Sequence, residues 1–124
     1  MNVKKINIGI KSLNESLEDF ADTWRKLESG EKVKKEEGIY FESIDDVRSV
    51  LTNNRLLILK TIKDKNPKSI YELSKMLGRN LKNVNQDLDI LLRIGLVELK
   101  KEKTDKNRVI PFVNYNEIMF AIPL

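Results

Sequence analysis

The sequence predicts an α+β fold, and three observations predict it. Residues 69–94 hold two short amphipathic helical patterns: Ile70, Leu73 and Leu77 before Gly78, then Leu81, Val84, Leu88, Leu91 and Leu92 before Gly95. Two strand-like runs follow at 96–103 and 108–114, separated by the polar turn Thr104-Asp105-Lys106-Asn107. Both ends of the chain alternate apolar with other residues, as Ile6, Ile8, Ile10 and as Ile118, Phe120, Ile122. Together these give a winged helix-turn-helix with an N-terminal strand and helix and a C-terminal strand. The expected division is 1–42 as a strand-and-helix arm suited to dimerisation, 43–114 as the winged domain, and 115–124 as the last strand.

The elements can be justified in chain order. Ile6, Ile8 and Ile10 mark a strand with one buried face. Ser12 with Glu15 three residues on is a capping box. The helix it opens carries Leu13, Leu17, Phe20, Trp24 and Leu27 at steps of four and three, a heptad-like seam. Glu15, Glu18, Asp19 and Asp22 crowd its first half and Arg25 and Lys26 its end, as the helix dipole favours. A charged link at 31–37 leads to a short aromatic strand at 38–42. Ser43 and Asp46 cap a helix near 44–51, and Thr52 caps another from Asn53 to about Lys63. Asn66-Pro67 breaks the chain. Ser69 and Glu72 then start the first helix of the helix-turn-helix. Gly78 suits a left-handed C-cap, and Asn80 an N-cap for the second helix. Pro111 places the returning wing strand at an edge or at the end of regular pairing.

Composition narrows the function. The 124-residue chain suits one compact domain plus an arm. It has no cysteine and no histidine, which excludes disulfides, thiolate zinc sites and histidine-based triads. No acidic cluster reads as catalytic, since Asp45-Asp46 fits a helix start better. The expectation is therefore no enzyme, no metal and no cofactor. No apolar run approaches the ~20 residues of a membrane span, and the first ten residues lack the pattern of a signal peptide. A cytoplasmic location without a membrane partner is expected. The net charge of +4 is unevenly spread: residues 51–110 carry 14 Lys/Arg against 7 Asp/Glu, and residues 1–50 carry 9 against 11. The positive excess falls on the helix-turn-helix, where phosphate attraction would need it. A merely solvated lysine-rich surface has the same composition.

The outward side of the second helix carries the candidate base readers Asn80, Asn83 and Gln86. Asparagine and glutamine each hold a donor and an acceptor, which suits adenine in the major groove. Arg79, Lys82 and Asn85 are placed for the DNA backbone. In the wing, Lys101, Lys103, Lys106 and Arg108 are candidate backbone or minor-groove contacts. The bland alternatives are ordinary solvated residues on the helix and lysines that blunt a sheet edge. The seam Leu13, Leu17, Phe20, Trp24 and Leu27 is the candidate dimer contact, or else it packs on the chain's own core.

Four stretches resemble the MarR-like winged-helix family. Leu51-Thr52-Asn53-Asn54-Arg55-Leu56-Leu57-Ile58-Leu59 looks like its first helix and Ser69-Ile70-Tyr71-Glu72-Leu73-Ser74-Lys75 its second. Asn83-Val84-Asn85-Gln86-Asp87-Leu88 is similar to its recognition helix, and Ile94-Gly95-Leu96-Val97-Glu98 to the start of its wing. Within the family, the chain looks most like small archaeal and bacterial transcriptional regulators labelled antitoxin-like. The resemblance covers residues 51–113. It implies a homodimer on a palindromic double-stranded DNA operator, with Arg79, Asn80, Lys82, Asn83, Asn85 and Gln86 facing the groove. The chain is short for the family's long flanking helices. The expected function is sequence-specific transcriptional regulation, by repression. The alternatives are a winged-helix protein–protein module or an antitoxin with a toxin partner.

Overall fold

Each helix begins where a short polar side chain can satisfy an orphan amide. Ser12, Ser43, Thr52 and Ser69 accept from the amide three residues on, opening α1 (Leu13–Glu28), α2 (Ile44–Val50), α3 (Asn53–Lys65) and α4 (Ile70–Leu77). Asn80 accepts from the Lys82 amide and opens α5 (Leu81–Ile94). The computed structural model describes residues 4–32, 38–102, 104 and 108–124. Gly78 and Gly95 end α4 and α5 in the left-handed region, at φ 63° and 87°. There a side chain would cost strain.

Helices α3, α4 and α5 pack together through Ile58, Leu59, Ile62, Leu73, Val84, Leu88 and Leu91, all buried. Truncating a side chain as enclosed as Leu88 to alanine costs about 2–5 kcal/mol. The wing strands are β3 (Glu98–Lys101) and β4 (Val109–Phe112), antiparallel, with Glu98 opposite Phe112 and Lys101 opposite Val109. Both are shorter than the runs at 96–103 and 108–114 suggest. At the end away from the tip, Leu96, Val97 and Val113 lie outside the paired strands and are buried in the helical core. Pro111 pairs with Leu99 inside the hairpin and is itself buried.

A second sheet joins the ends of the chain. Its strands are β1 (Lys5–Ile10), β2 (Ile39–Phe41) and β5 (Glu117–Ala121), in the order β2-β1-β5, and both pairings are parallel. Alternation puts Ile8 on the inner face, where it is buried in the same core as α3–α5. The segments expected as arm and tail thus share one sheet that closes onto the winged core. Two hydrogen bonds anchor its start: the Lys4 amide donates to Asn116 Oδ1 at 3.0 Å, and the Asn116 amide to the Lys4 carbonyl at 2.7 Å. On the outer face the Tyr40 ring lies across Gly9, where a β-carbon would come within 3.0 Å of it.

Helix α1 links β1 to β2, the place of a crossover helix, but it buries none of its residues. Leu13, Leu17, Phe20, Trp24 and Leu27 remain 56–68% exposed. The seam therefore does not pack on the chain's own core.

Candidate nucleic-acid interface

The buried stripe of α5 fixes which of its residues look outward. Val84, Leu88 and Leu91 are enclosed. At 3.6 residues per turn, Lys82, Gln86, Asp89 and Arg93 then line the opposite side. Asn83 and Asn85 flank that line on opposite sides, since two helical steps separate them. Lys82, Asn83, Asn85 and Gln86 are all exposed. Their side chains make no hydrogen bond or ion pair among the described residues, so their donors and acceptors are open to solvent. Asn80 is different: its side-chain oxygen is occupied at 2.7 Å by the Lys82 amide it caps, which leaves its amide group as the free end.

Both acids of α5 are neutralised. Asp89 pairs with Arg93 at 3.0 Å, one turn along the exposed side. Asp87 sits beside the apolar stripe and holds two arginines, Arg55 Nε at 3.2 Å and Arg79 Nη2 at 2.8 Å. Arg55 also donates to the Ser49 and Val50 carbonyls at the end of α2. One carboxylate thereby ties α2, α3, the α4–α5 turn and α5. The pairing turns the Arg79 guanidinium toward Asp87 and leaves its side chain only 23% exposed. Sequence reasoning assigned Arg79 to the DNA backbone and missed Arg55 and Asp87. A signal was present: Asp87 lies three residues after Val84 and four before Leu91, at the border of the apolar stripe. A carboxylate there needs partners.

The wing presents a mixed surface. All of β3 is exposed. Lys100 Nζ lies 3.5 Å over the Phe112 ring, which orients its stem along the hairpin. Lys101 is exposed and has no acidic partner among the described residues. Arg108 Nη1 lies 3.7 Å from Glu102 Oε2, and the Glu102 amide donates to the Arg108 carbonyl at 3.0 Å, closing the base of the tip. Lys103 and Lys106 lie outside the described residues. At the other end of the hairpin the Tyr115 hydroxyl donates to the Leu96 carbonyl at 2.7 Å. Burial pushes that hydroxyl well above the usual tyrosine range.

Among the described residues no group of three or more His, Cys, Asp and Glu is placed to hold a metal ion. No helix there is long and apolar enough to cross a membrane.

Three packed helices, a capped second and third helix, and a hairpin directly after them define a winged helix-turn-helix protein. Residues 50–120 match the family HVO_A0114, and the chain belongs to that family. No match was found among curated proteins. Among solved structures, the chain is similar to a MarR-like transcriptional regulator from Thermotoga maritima, at 17% identity and a TM-score of 0.48. That similarity covers 84% of this chain and 66% of the regulator, so the chain spans a little under two thirds of the regulator's length.

Proposed function

We propose that this protein is a sequence-specific, double-stranded-DNA-binding transcriptional regulator that acts as a repressor. The observation that carries the reading is the outward side of α5. Lys82, Asn83, Asn85 and Gln86 stand exposed and uncommitted, while both acids of the helix are held by arginines. A helix so prepared meets phosphates without repulsion and offers amide groups to base edges in the major groove. Gln86 and Asn83 read bases, and Lys82 and Asn85 hold the backbone. Asn80 reaches the groove through its amide group, and Lys101, Lys103, Lys106 and Arg108 hold the flanking backbone from the wing. Arg79 reaches phosphate only by releasing Asp87.

The regulator works as a homodimer on a palindromic site, with residues 43–114 as the DNA-binding unit and the exposed seam of α1 as a dimer contact. Two-fold symmetry would set the recognition helices one turn of DNA apart, ~34–36 Å. The deciding experiment is selection of bound duplexes from a random pool, followed by titration of the selected and a scrambled duplex across a salt series. Enrichment of a two-fold-symmetric site is expected. Equal affinity for the selected and scrambled duplexes at every salt concentration overturns sequence-specific regulation.

A second reading draws on the same seam. Five large apolar side chains in a row on an exposed helix suit a protein partner, the toxin of an antitoxin pair among them. Under that reading α1 holds another protein and the chain lacks duplex affinity, which the same titration detects.

A further inference from the structure

Among the described residues the two sheets have four edge strands, and three of them are guarded. Strand β2 is only three residues long. Strand β3 carries Glu98, Lys100 and Lys101, and β4 carries Pro111. Short length, charge and proline are the usual means by which a sheet avoids pairing with another chain. Strand β5 carries one charge, Glu117 at its start, and no proline. Its run Ile118-Met119-Phe120-Ala121-Ile122 contains no charge, no glycine and no proline, and Pro123 comes only after the strand has ended. Among the described residues β5 pairs with β1 alone, so its other edge leaves a row of backbone groups to solvent. Met119, Phe120 and Ile122 are 41–48% exposed along it.

We infer that β5 pairs edge to edge with β5 of a second copy, antiparallel across a two-fold axis, so that the two three-stranded sheets become one of six strands. The choice of occupant rests on self-complementarity. A two-fold axis presents the same strand to itself in opposite directions. If the axis passes Phe120, then Ile118 faces Ile122 of the second copy and Met119 faces Ala121. If it passes Met119, then Ile118 faces Phe120 of the second copy and Glu117 faces Ala121. In both registers apolar side chains meet, and the one charged residue of the strand meets no like charge. A parallel, in-register pairing would instead set Glu117 on Glu117. Ile118, Phe120 and Ile122 lie on the sheet face that carries Ile8, so pairing extends the apolar face of each copy into the other. The inference deepens the homodimer part of the proposed function, rests on that part, and does not depend on DNA binding.

The absence of native cysteine makes the test direct, because one introduced thiol is unique. Met119→Cys and Phe120→Cys each place that thiol at a candidate axis, and Tyr71→Cys on exposed α4 serves as the control. Under mild oxidation of the full chain without DNA, at least one β5 variant should form disulfide-linked dimer about tenfold faster than the control, because an axial residue sits opposite itself. Rates equal to the control for both overturn the inference. Independently, Phe120→Lys should weaken dimerisation about tenfold or more by sedimentation equilibrium, by guarding the edge. A folded Phe120→Lys chain with unchanged dimerisation overturns the inference, and should that variant fail to fold, the cysteine pair decides. A native chain that stays monomeric also overturns it and leaves the edge to an extended segment of another protein. Duplex binding is scored separately. A β5-linked dimer without DNA affinity sinks the regulator reading alone, and a monomer that selects a DNA site sinks this inference alone.

Discussion

Asp87 Oδ2 lies 2.8 Å from Arg79 Nη2, while Asp87 Oδ1 accepts from Arg55 at 3.2 Å. All three side chains are less than a quarter exposed. Helix α5 is thus oriented by an ionic clasp as well as by its apolar stripe. Removing one charge from a partly enclosed cluster leaves the others uncompensated. Asp87→Asn should therefore destabilise the fold by about 2 kcal/mol, near the value of hydrogen bonds to charged groups. Urea unfolding followed by circular dichroism checks it, and a midpoint equal to the native one would show that the clasp is dispensable. Arg79→Ala should cost less, because Asp87 keeps Arg55.

The outward residues of α5 should separate by role. Asn83→Ala and Gln86→Ala are each expected to reduce discrimination between cognate and scrambled duplexes by ~1–3 kcal/mol. Lys82→Ala should weaken both duplexes alike and lower the salt slope by ~1. Fluorescence anisotropy across a salt series measures both quantities. If all three variants match the native chain, α5 does not read DNA.

The wing is expected to add affinity without choosing sequence, because phosphates are alike at every base pair. Neutralising Lys101, Lys103, Lys106 and Arg108 together should weaken cognate and scrambled duplexes by similar factors. Arg108 already has Glu102 nearby at 3.7 Å, so Arg108→Ala alone should do less than Lys101→Ala. A loss confined to the cognate duplex would make the wing a reader of sequence or shape.

Trp24 is 56% exposed, and its indole donates to Glu28 at 2.7 Å within α1. Trp24→Ala should accordingly leave the unfolding midpoint of the winged core nearly unchanged while weakening self-association. Sedimentation velocity with circular dichroism separates the effects. An intact dimer of full strength would remove α1 from the interface.

Tyr115 links stability to alkaline pH. Its folded-state hydroxyl titrates above the ordinary value of 10.0, because burial disfavours the phenolate. The unfolded chain therefore loses that proton first as pH rises. The stabilising contribution is complete below about pH 10 and declines above it. Tyr115→Phe should remove this part of the alkaline decline. At neutral pH it should cost about 1–3 kcal/mol, as the Leu96 carbonyl loses its donor in a buried place. Paired denaturation curves at neutral and alkaline pH test the sign, and an alkaline decline as steep as the native one would contradict it.

Much of the winged core is legible in the sequence because its signals are local. Ser69 and Asn80 cap where their neighbours' amides need acceptors, and Gly78 and Gly95 stop the helices where left-handed backbone is required. The alternation of Ile6, Ile8 and Ile10 marks β1, but a strand's pattern does not name its neighbour. The parallel pairing of Lys5 with Glu117 joins residues far apart in sequence, and nothing within either strand encodes it. The seam of α1 is equally visible from its spacing, whereas its exposure depends on what the rest of the chain leaves uncovered. Arg79 illustrates the remaining gap. A helix-start arginine suits phosphate, and only the fold brings Asp87 within its reach, already shared with Arg55.

The central place of β1 between β2 and β5 also sets an order of assembly. The hydrogen bonds that open the β1–β5 ladder close a loop of 112 residues, whereas the contacts among α3, α4 and α5 span only short separations. Long loops are closed late because their entropy must be met before their contacts form. During synthesis, the three-helix core can settle while β1 waits for β5, which is made after all three helices. Until then one edge of β1 stays unpaired, which makes an early-made strand late to be secured.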